Sequence, residues 1–296
     1  MIAANNCGAF ASRWSMPARS SSRSRVGAVQ TAHFCDVFGG SAAVLINRAP
    51  APIETYNDID SELVNFFRVL RQQKAALTEA IGLTPFSREE LSLACQQLTP
   101  DITELERARR FFVRARQVRT GLAQTASAGR WAHCVLTSRA GMAGAVSRWL
   151  GASEDLPYIA QRLLRVQIEN APALEVIERY DSADTLFYCD PPYVHGTRGD
   201  SNAYGFEMTD EDHRSLATRL NRVAGKVALS GYHSALYNEL YQGWFVTESA
   251  SKTAHSVKTE RIEVLWTNYD PKLPTLSAKD VTWNQAKSSR PLFETP

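Results

Sequence analysis

The sequence contains few cysteines and no long apolar run, and both shortages exclude whole classes of protein. Its 296 residues include an odd number of cysteines, no two of them at C-x-x-C spacing: Cys7, Cys35, Cys95, Cys134 and Cys189. This argues against a disulfide framework or a structural zinc site and favours a reducing compartment. No apolar stretch approaches the roughly 20 residues that a membrane span needs. We therefore predict a soluble, cytoplasmic protein that holds no metal.

Acidic residues are absent from the first 33 positions, which carry many serines and four arginines: Arg13, Arg19, Arg23 and Arg25. This composition is typical of a transit peptide or of a disordered basic arm. Because no helical apolar stripe runs through it, we predict a disordered arm over residues 1–33. Residues 273–296 are rich in Pro, Lys and Ser and predict a loosely held tail.

Lysine is absent from residues 101–150, where nine arginines face only three acids. The stretch has a net charge of +6, although the whole chain has only +2. A charge run is often a solvated helix face. Charges of one sign with aromatic residues between them favour nucleic acid instead, because planar guanidinium groups fit phosphates and guanine edges. We predict that six of these arginines contact nucleic acid: Arg110, Arg114, Arg116, Arg119, Arg130 and Arg139.

Short apolar runs alternate with helical patterns outside this stretch, which predicts a mostly parallel α/β sheet with ligands at the carboxyl ends of its strands. HFCDVFGGSAAVLIN (33–47) predicts a strand, a Gly-Gly turn and a helix, and PIETYND (52–58) predicts a second strand that ends at Asp58. Asp58 follows Phe38 by twenty residues. Dinucleotide-type folds place an acid on ribose hydroxyls at this spacing, so we predict a nucleoside-binding site.

The later part of the chain continues the same alternation. Strands are predicted at VQIEN (166–170), TLFYCD (185–190) and KVALSGY (226–232), with a helix over 209–223. WFVTESA and RIEVLWTNY predict two further strands that pair as a hairpin at the sheet edge. We interpret Cys189 as a buried strand residue rather than a nucleophile.

The segment LFYCDPPYVHGT (186–197) joins an apolar run to Asp190, Pro191, Pro192 and Tyr193. Two prolines end a strand abruptly, because neither has an amide hydrogen to give to a ladder. They hold the carboxylate and the aromatic ring on a stiff turn. A rigid strand-to-helix connection is the alternative explanation.

The order of these parts resembles that of the Dam-type adenine-N6 DNA methyltransferases, particularly their phage-borne members. The resemblance runs from about Phe34 to Tyr269 and rests on FGG, YNDID, the basic stretch and DPPY, with 132 residues from Asp58 to Asp190. It implies a Rossmann-like S-adenosylmethionine-dependent methyltransferase sheet with an inserted, mainly helical target-recognition domain. The catalytic domain would comprise residues 34–62 and 159–272, and the insert residues 63–158.

The resemblance also implies roles for single residues. Phe38, Gly39 and Gly40 would line the pocket of the methyl donor, S-adenosylmethionine, with Asp36 near its amino group and Asp58 on its ribose. Asn170 ends a predicted strand near the expected donor adenine and joins this set. Asp190 and the Pro191 carbonyl would accept hydrogen bonds from the target amino group, with Pro192 completing the turn. Tyr193 would stack on an adenine flipped out of double-stranded DNA. No metal is required, and a monomer is expected.

The sequence departs from the family pattern at two places. Members usually carry a Lys-x-x-Gly-Gly-Lys-like segment before the first motif, but no lysine precedes Lys74 here. Ala42 also replaces the second glycine of the F-x-G-x-G pattern. Two alternatives to a DNA adenine methyltransferase therefore stay open: a catalytically impaired DNA-binding relative with an incomplete donor site, and an amino-group methyltransferase that acts on RNA or protein. A role in restriction and modification of DNA is a further expectation from the family.

Overall fold

The computed structural model describes residues 31–194, 206–248 and 262–271. The predicted tail and all but the last three residues of the predicted arm lie outside these ranges. The described strands are β1 (His33–Asp36), β2 (Ile53–Asn57), β3 (Ser138–Arg139), β4 (Met142–Ala143), β5 (Gln167–Glu169), β6 (Thr185–Cys189), β7 (Lys226–Tyr232), β8 (Phe245–Glu248) and β9 (Glu263–Thr267). The described helices are α1 (Ala43–Asn47), α2 (Ser61–Gln72), α3 (Lys74–Gly82), α4 (Arg88–Ala94), α5 (Glu104–Gln117), α6 (Gly144–Glu154), α7 (Leu156–Leu163), α8 (Ala173–Tyr180), α9 (Asp210–Leu220) and α10 (Ala235–Leu240), with a 3-10 turn at Ala128–Arg130.

Seven of these strands form one sheet in the order β5-β2-β1-β6-β7-β9-β8. β9 runs antiparallel to both of its neighbours, and the other pairings are parallel. The predicted mixed α/β architecture with a mostly parallel central sheet is thus confirmed, as is the antiparallel pairing of the last two strands. The chain order reverses between β1 and β6. Open α/β sheets bind ligands beside such a reversal, at the carboxyl ends of the strands.

The central strands are apolar because helices cover both faces of the sheet. All five residues of β6 are buried, and consecutive side chains enter different clusters: Leu186 and Tyr188 pack on one face, Phe187 and Cys189 on the other. Parallel strands buried on both faces read as continuous apolar runs. This explains the apolar run before Asp190, and it confirms Cys189 as a buried strand residue.

Capping side chains fix the starts of two helices that flank the sheet. The Asp60 carboxylate accepts hydrogen bonds from the backbone N–H groups of Glu62 and Leu63 at the start of α2. Thr209 and Asp212 form the predicted capping box at the start of α9. Each cap satisfies N–H groups that have no partner within the helix.

The helical segment packs into the same hydrophobic cluster as one face of the sheet. Phe66 of α2 stacks on Phe112 of α5 with ring centroids 5.7 Å apart, and both belong to the cluster that contains Phe34 of β1 and Trp149 of α6. The predicted boundaries at 63 and 158 fall inside α2 and α7. The division into a catalytic domain and an insert therefore stays a prediction.

None of the helices in the described ranges combines the length and the apolar character that crossing a bilayer requires.

Candidate active site

A cavity of about 600 Å³ lies where the parallel strands end. The segments that follow β1, β2, β5 and β6 all contribute to its walls, and they bring Phe38, Asp58, Pro172, Asp190 and Pro192 together. Cavities of roughly 300–1,000 Å³ are the size that holds small organic ligands. Among the predicted site residues, the structure therefore gathers Phe38, Asp58, Asp190 and Pro192 around one cavity.

Asp58 follows β2 directly and is held by backbone amides. Its Oδ2 accepts from Gly40 N–H at 2.8 Å, and its Oδ1 accepts from Asp60 N–H at 2.8 Å. Burial raises the pKa of Asp58 to about 6, against the opposing effect of these two hydrogen bonds. Each carboxylate oxygen can accept a second hydrogen bond. Asp58 is thus a fixed acceptor facing the cavity.

The predicted Gly-Gly turn positions this acceptor. A Cβ at Gly39 would lie 2.2 Å from Cε2 of Tyr56, so no larger side chain fits there unless the ring moves. Gly40 has φ +50°, and its carbonyl accepts a hydrogen bond from the Tyr56 hydroxyl at 2.8 Å. Neither glycine is among the residues that line the cavity. They act on Asp58 through the shape of the turn.

Ala42 adopts the left-handed conformation that its glycine counterpart would favour. Its φ is +53°, and its side chain is fully buried. An L-residue in this region is strained by roughly 1–2 kcal/mol. The chain therefore tolerates this departure from the F-x-G-x-G pattern at an energetic penalty.

Asp36 ends β1 but does not line the cavity. It is 1% exposed, and burial together with the charges of Asp190 and Asp58 raises the pKa of its carboxyl well above the usual range. The nearby Arg48 opposes this rise. Asp36 thus lies outside the cavity lining but close enough for the charges of Asp58 and Asp190 to raise the pKa of its carboxyl.

Two asparagines tie the strand ends together. The Asn57 amide donates to the Val37 carbonyl at 2.9 Å and to the Ala171 carbonyl at 3.1 Å, which joins the ends of β1, β2 and β5. The predicted residue Asn170 donates to the Asp58 carbonyl at 2.8 Å. Asn57 was missed in the sequence, although it lies inside the quoted YNDID.

Asp190 follows β6 and receives a hydrogen bond from β7. Ser230 Oγ donates to Asp190 Oδ1 at 2.7 Å. This hydrogen bond fixes one carboxylate oxygen of Asp190 at the wall of the cavity. Pro191 is buried and Pro192 is half-buried at the cavity wall. Ser230 was also missed, because only the segment LSGY that contains it was recognised.

The Tyr193 ring packs edge to face against Tyr232, with centroids 4.7 Å apart. It is 2% exposed. Stacking of a base on this ring therefore requires that it be uncovered first.

The six predicted DNA-binding arginines divide into two groups. Three are exposed: Arg119, Arg130 and Arg139. The other three are half-buried or buried. Arg110 Nε pairs with Glu106 Oε1 at 2.8 Å, Arg114 Nη1 donates to the Ala94 carbonyl at 2.8 Å, and Arg116 is 7% exposed.

Gln124 connects this arginine-rich region to the cavity. It lines the cavity, and its Nε2 donates to Asp60 Oδ2 at 2.6 Å. No pattern in the sequence singled it out, because the contact joins positions 64 residues apart.

No group of three or more His, Cys, Asp and Glu side chains in the described ranges is arranged to hold a metal ion. The model of the D12 class N6 adenine-specific DNA methyltransferase family matches residues 23–261. A search of curated proteins found no match to this chain.

Proposed function

The chain belongs to the D12 class N6 adenine-specific DNA methyltransferase family, and we propose that the cavity at its strand ends holds the methyl donor beside the target adenine. The protein methylates the N6 amino group of adenine in DNA and depends on S-adenosylmethionine. S-adenosylmethionine supplies an activated methyl group when bound. The single observation that carries the proposal is that Asp58 and Asp190 face one cavity of about 600 Å³.

Asp58 is proposed to accept hydrogen bonds from the ribose hydroxyls of the donor. Backbone N–H groups hold both of its oxygens at the cavity wall, and a carboxylate oxygen can accept more than one hydrogen bond, so a hydroxyl of the donor can be an additional partner. Phe38 and Pro172 form apolar parts of the same wall. Gly39, Gly40 and Asn170 are proposed to act by holding the Asp58 turn.

Asp190 and the Pro191 carbonyl are proposed to hold the target amino group. An exocyclic amine has two N–H donors, and the Asp190 carboxylate with the Pro191 carbonyl would offer acceptors on a stiff turn at the cavity wall. These two hydrogen bonds would direct the nitrogen lone pair to the reacting methyl group. Such positioning supplies a large part of the rate of a transfer reaction. The proton that the nitrogen loses after transfer would go to Asp190 Oδ2 and then to solvent.

The target adenine must leave the duplex to reach Asp190, because its amino group is paired inside the helix. Tyr193 is proposed to stack on the flipped base once its ring is uncovered. The exposed Arg119, Arg130 and Arg139 are proposed to contact the DNA backbone, which such side chains use to set the register of a protein on DNA.

Replacement of Asp190 tests the catalytic assignment. Asp190→Ala is expected to abolish methyl transfer while the affinities for S-adenosylmethionine and DNA change little, because it removes an acceptor for the amino group. Asp184→Ala is the matched control, since it removes an exposed acid at the opposite end of β6. Near-normal transfer by Asp190→Ala would overturn the assignment.

Ser230→Ala should reduce kcat by up to about 100-fold with little change in the KM for DNA, because Asp190 would lose its orienting partner. Steady-state kinetics at saturating donor would measure this. An unchanged kcat would show that the 2.7 Å hydrogen bond does not orient Asp190 for reaction.

A further inference from the structure

A second cavity, of about 190 Å³, lies in the arginine-rich region. Its walls come from three separate segments of the chain: residues 116–119 at and after the end of α5, residues 132–134, and residues 145–148 near the start of α6. Three arginines line it, one from α5, one from the segment after α5, and one from α6: Arg116, Arg119 and Arg148. None of its eight lining residues, all in the described ranges, carries a carboxylate.

The three arginines differ in their exposure and in their partners. Arg119 and Arg148 are exposed, and neither forms an ion pair with a described residue; Arg119 Nη2 donates to the His133 ring at 3.0 Å. Arg116 is 7% exposed and lies 5.5 Å from the centroid of the Phe112 ring. Burial lowers the pKa of Arg116 to about 9, and the charge of Asp155 only partly offsets this. An anion in the cavity would stabilise all three guanidinium groups.

The first turn of α6 adds to the positive electrostatic potential in this cavity. Ala145 of that turn lines the cavity, and Ala143 at the N-cap supplies no side-chain hydrogen bond. The positive end of a helix favours anions, and the three arginines carry the larger charge.

A short loop connects this cavity to the active-site cavity. Backbone hydrogen bonds close the loop at its base, from Arg119 N–H to the Arg130 carbonyl at 2.9 Å and from Ala132 N–H to the Gln117 carbonyl at 2.8 Å. Gln124, inside the loop, lines the active-site cavity. A group bound at the base of this loop would therefore contact the same loop that contributes Gln124 to the active-site cavity.

We propose that this second cavity binds one phosphate of the DNA backbone, held by Arg119 and Arg148 with Arg116 beneath, and that it anchors the duplex next to the active-site cavity. The inference rests on the proposed function, since it takes DNA as the substrate. Guanidinium groups bind phosphate oxygens through two parallel hydrogen bonds, and a phosphate contact fixes position without reading sequence.

The number of phosphates bound can be measured from the salt dependence of DNA affinity. Binding of a short fluorescent duplex would be followed by anisotropy between low and moderate NaCl for the wild type, Arg119→Gln, Arg148→Gln and the double variant. Each phosphate contact contributes about 0.9 to the slope of log K against log salt concentration. One shared phosphate predicts that the double variant loses about 0.9 in slope. Two independent phosphates would give a loss of about 1.8, and an unchanged slope would mean no contact; either result would overturn the proposal.

Arg222→Gln is the matched control, because it removes one exposed arginine outside the arginine-rich region. It is expected to leave the slope unchanged. Methyl transfer separates the DNA-binding proposal from the proposed function: the double variant should show a raised KM for DNA, and Arg222→Gln should keep the KM and kcat of the wild type. Absence of transfer by the wild type would count against the proposed function, while the slopes would still decide whether the cavity binds a phosphate.

Inorganic phosphate distinguishes a DNA phosphate from a free one. Because an anion in the cavity would stabilise the guanidinium groups, replacing chloride with phosphate at equal ionic strength should raise the melting temperature of the wild type more than that of the double variant. Stabilisation of the wild type alone, together with unchanged DNA slopes, would identify a free-phosphate site and contradict the proposal.

Discussion

Asp58 is the residue whose ionisation should control donor binding. Burial raises the pKa of its carboxyl to about 6. The ionised carboxylate is the stronger acceptor for ribose hydroxyls, so the affinity for S-adenosylmethionine should rise as pH increases through about 6. Isothermal titration from pH 5 to 7.5 would measure it, and Asp58→Asn should show no such rise. Equal pH dependence in both proteins would exclude Asp58 as the cause.

The raised pKa of Asp58 also affects the free energy of unfolding. This free energy should fall as pH rises, whereas donor affinity should increase. Because the pKa of Asp58 is higher in the folded state than the ordinary value of 3.8, the folded state binds the proton more tightly. The stabilising effect is complete below pH 3.8 and is lost as pH rises through about 6. Asp58→Asn should therefore reduce the fall in unfolding free energy over this window, as denaturant titrations would measure.

Gly39 packs directly against the Tyr56 ring, and we expect substitutions there to act through this packing. Gly39→Ala should lower the free energy of unfolding by about 1–3 kcal/mol, because its Cβ would overlap the Tyr56 ring. It should also weaken donor binding, since the turn carries the Gly40 amide that holds Asp58. Gly82→Ala is the control: nothing lies within 4 Å of its added Cβ, and helix propensity predicts a small gain. Equal stabilities for the two variants, measured in urea, would contradict this account.

Among single residues, those that follow a recognisable local pattern could be predicted from the sequence. Asp58 and Asp190 were predicted correctly as ends of strands because an apolar run followed by an acid marks such an end. Ser230, Asn57 and Gln124 were missed because their contacts join distant parts of the chain. The burial of Arg116 was also missed, since charge composition does not report which face of α5 packs inward.

Among the secondary-structure elements, a buried ion pair joins β2 to α7. Glu54 is 1% exposed; its Oε1 accepts from Arg162 Nη2 at 2.7 Å and lies 3.6 Å from Arg48 Nη1. Arg162 Nη2 also donates to the Leu45 carbonyl of α1 at 2.9 Å. This pair therefore connects the helix after the glycine turn to α7, the helix that contains the predicted boundary at residue 158.

Glu54→Gln should lower the free energy of unfolding by about 3–5 kcal/mol, because it leaves two buried arginines without their carboxylate. Arg165→Gln is the control, since its half-exposed side chain lies 3.9 Å from Glu54. Because Arg165 is half-exposed and 3.9 Å away, its contribution should be closer to that of a surface pair, about 0–1 kcal/mol. Thermal and urea unfolding would compare the two, and similar losses would show that burial does not set the energy of this pair.

The elements themselves were largely predictable because periodicity and caps are local signals. The alternation of strands and helices, the Thr209–Asp212 capping box and the antiparallel last pair are all confirmed. The position of β9 between β7 and β8 was not predicted, since strand order depends on pairing through space. The shared core of helical segment and sheet was not predicted either, because an apolar helix face does not identify its partner.

At the scale of the whole molecule, charge is divided between two regions. Residues 101–150 carry a net charge of +6, whereas the chain as a whole carries +2. The active-site cavity, by contrast, is lined by several carboxylates: Asp58, Asp60, Glu175, Asp190, Glu207 and Asp212. This separation places cations where DNA is proposed to bind and acids around the proposed donor site.

DNA affinity and donor affinity should therefore respond differently to salt. If the three exposed arginines each contact one phosphate, a fourfold rise in NaCl should weaken DNA binding by roughly 40-fold. Donor affinity should change far less, because the proposed donor contacts are hydrogen bonds and apolar walls rather than phosphate–arginine pairs. Anisotropy with duplex DNA and calorimetry with S-adenosylmethionine would measure the two. Equal losses would indicate that salt acts on the fold rather than on phosphate contacts.

The most direct test is transfer of labelled methyl from S-adenosylmethionine to adenine-unmethylated bacterial genomic DNA, followed by nucleoside analysis. Genomic DNA contains nearly every short site, so the target sequence need not be known. We predict label in N6-methyladenine with the wild type and none with Asp190→Ala. Label on another base, or no label from folded protein that binds both DNA and S-adenosylmethionine, would contradict the account.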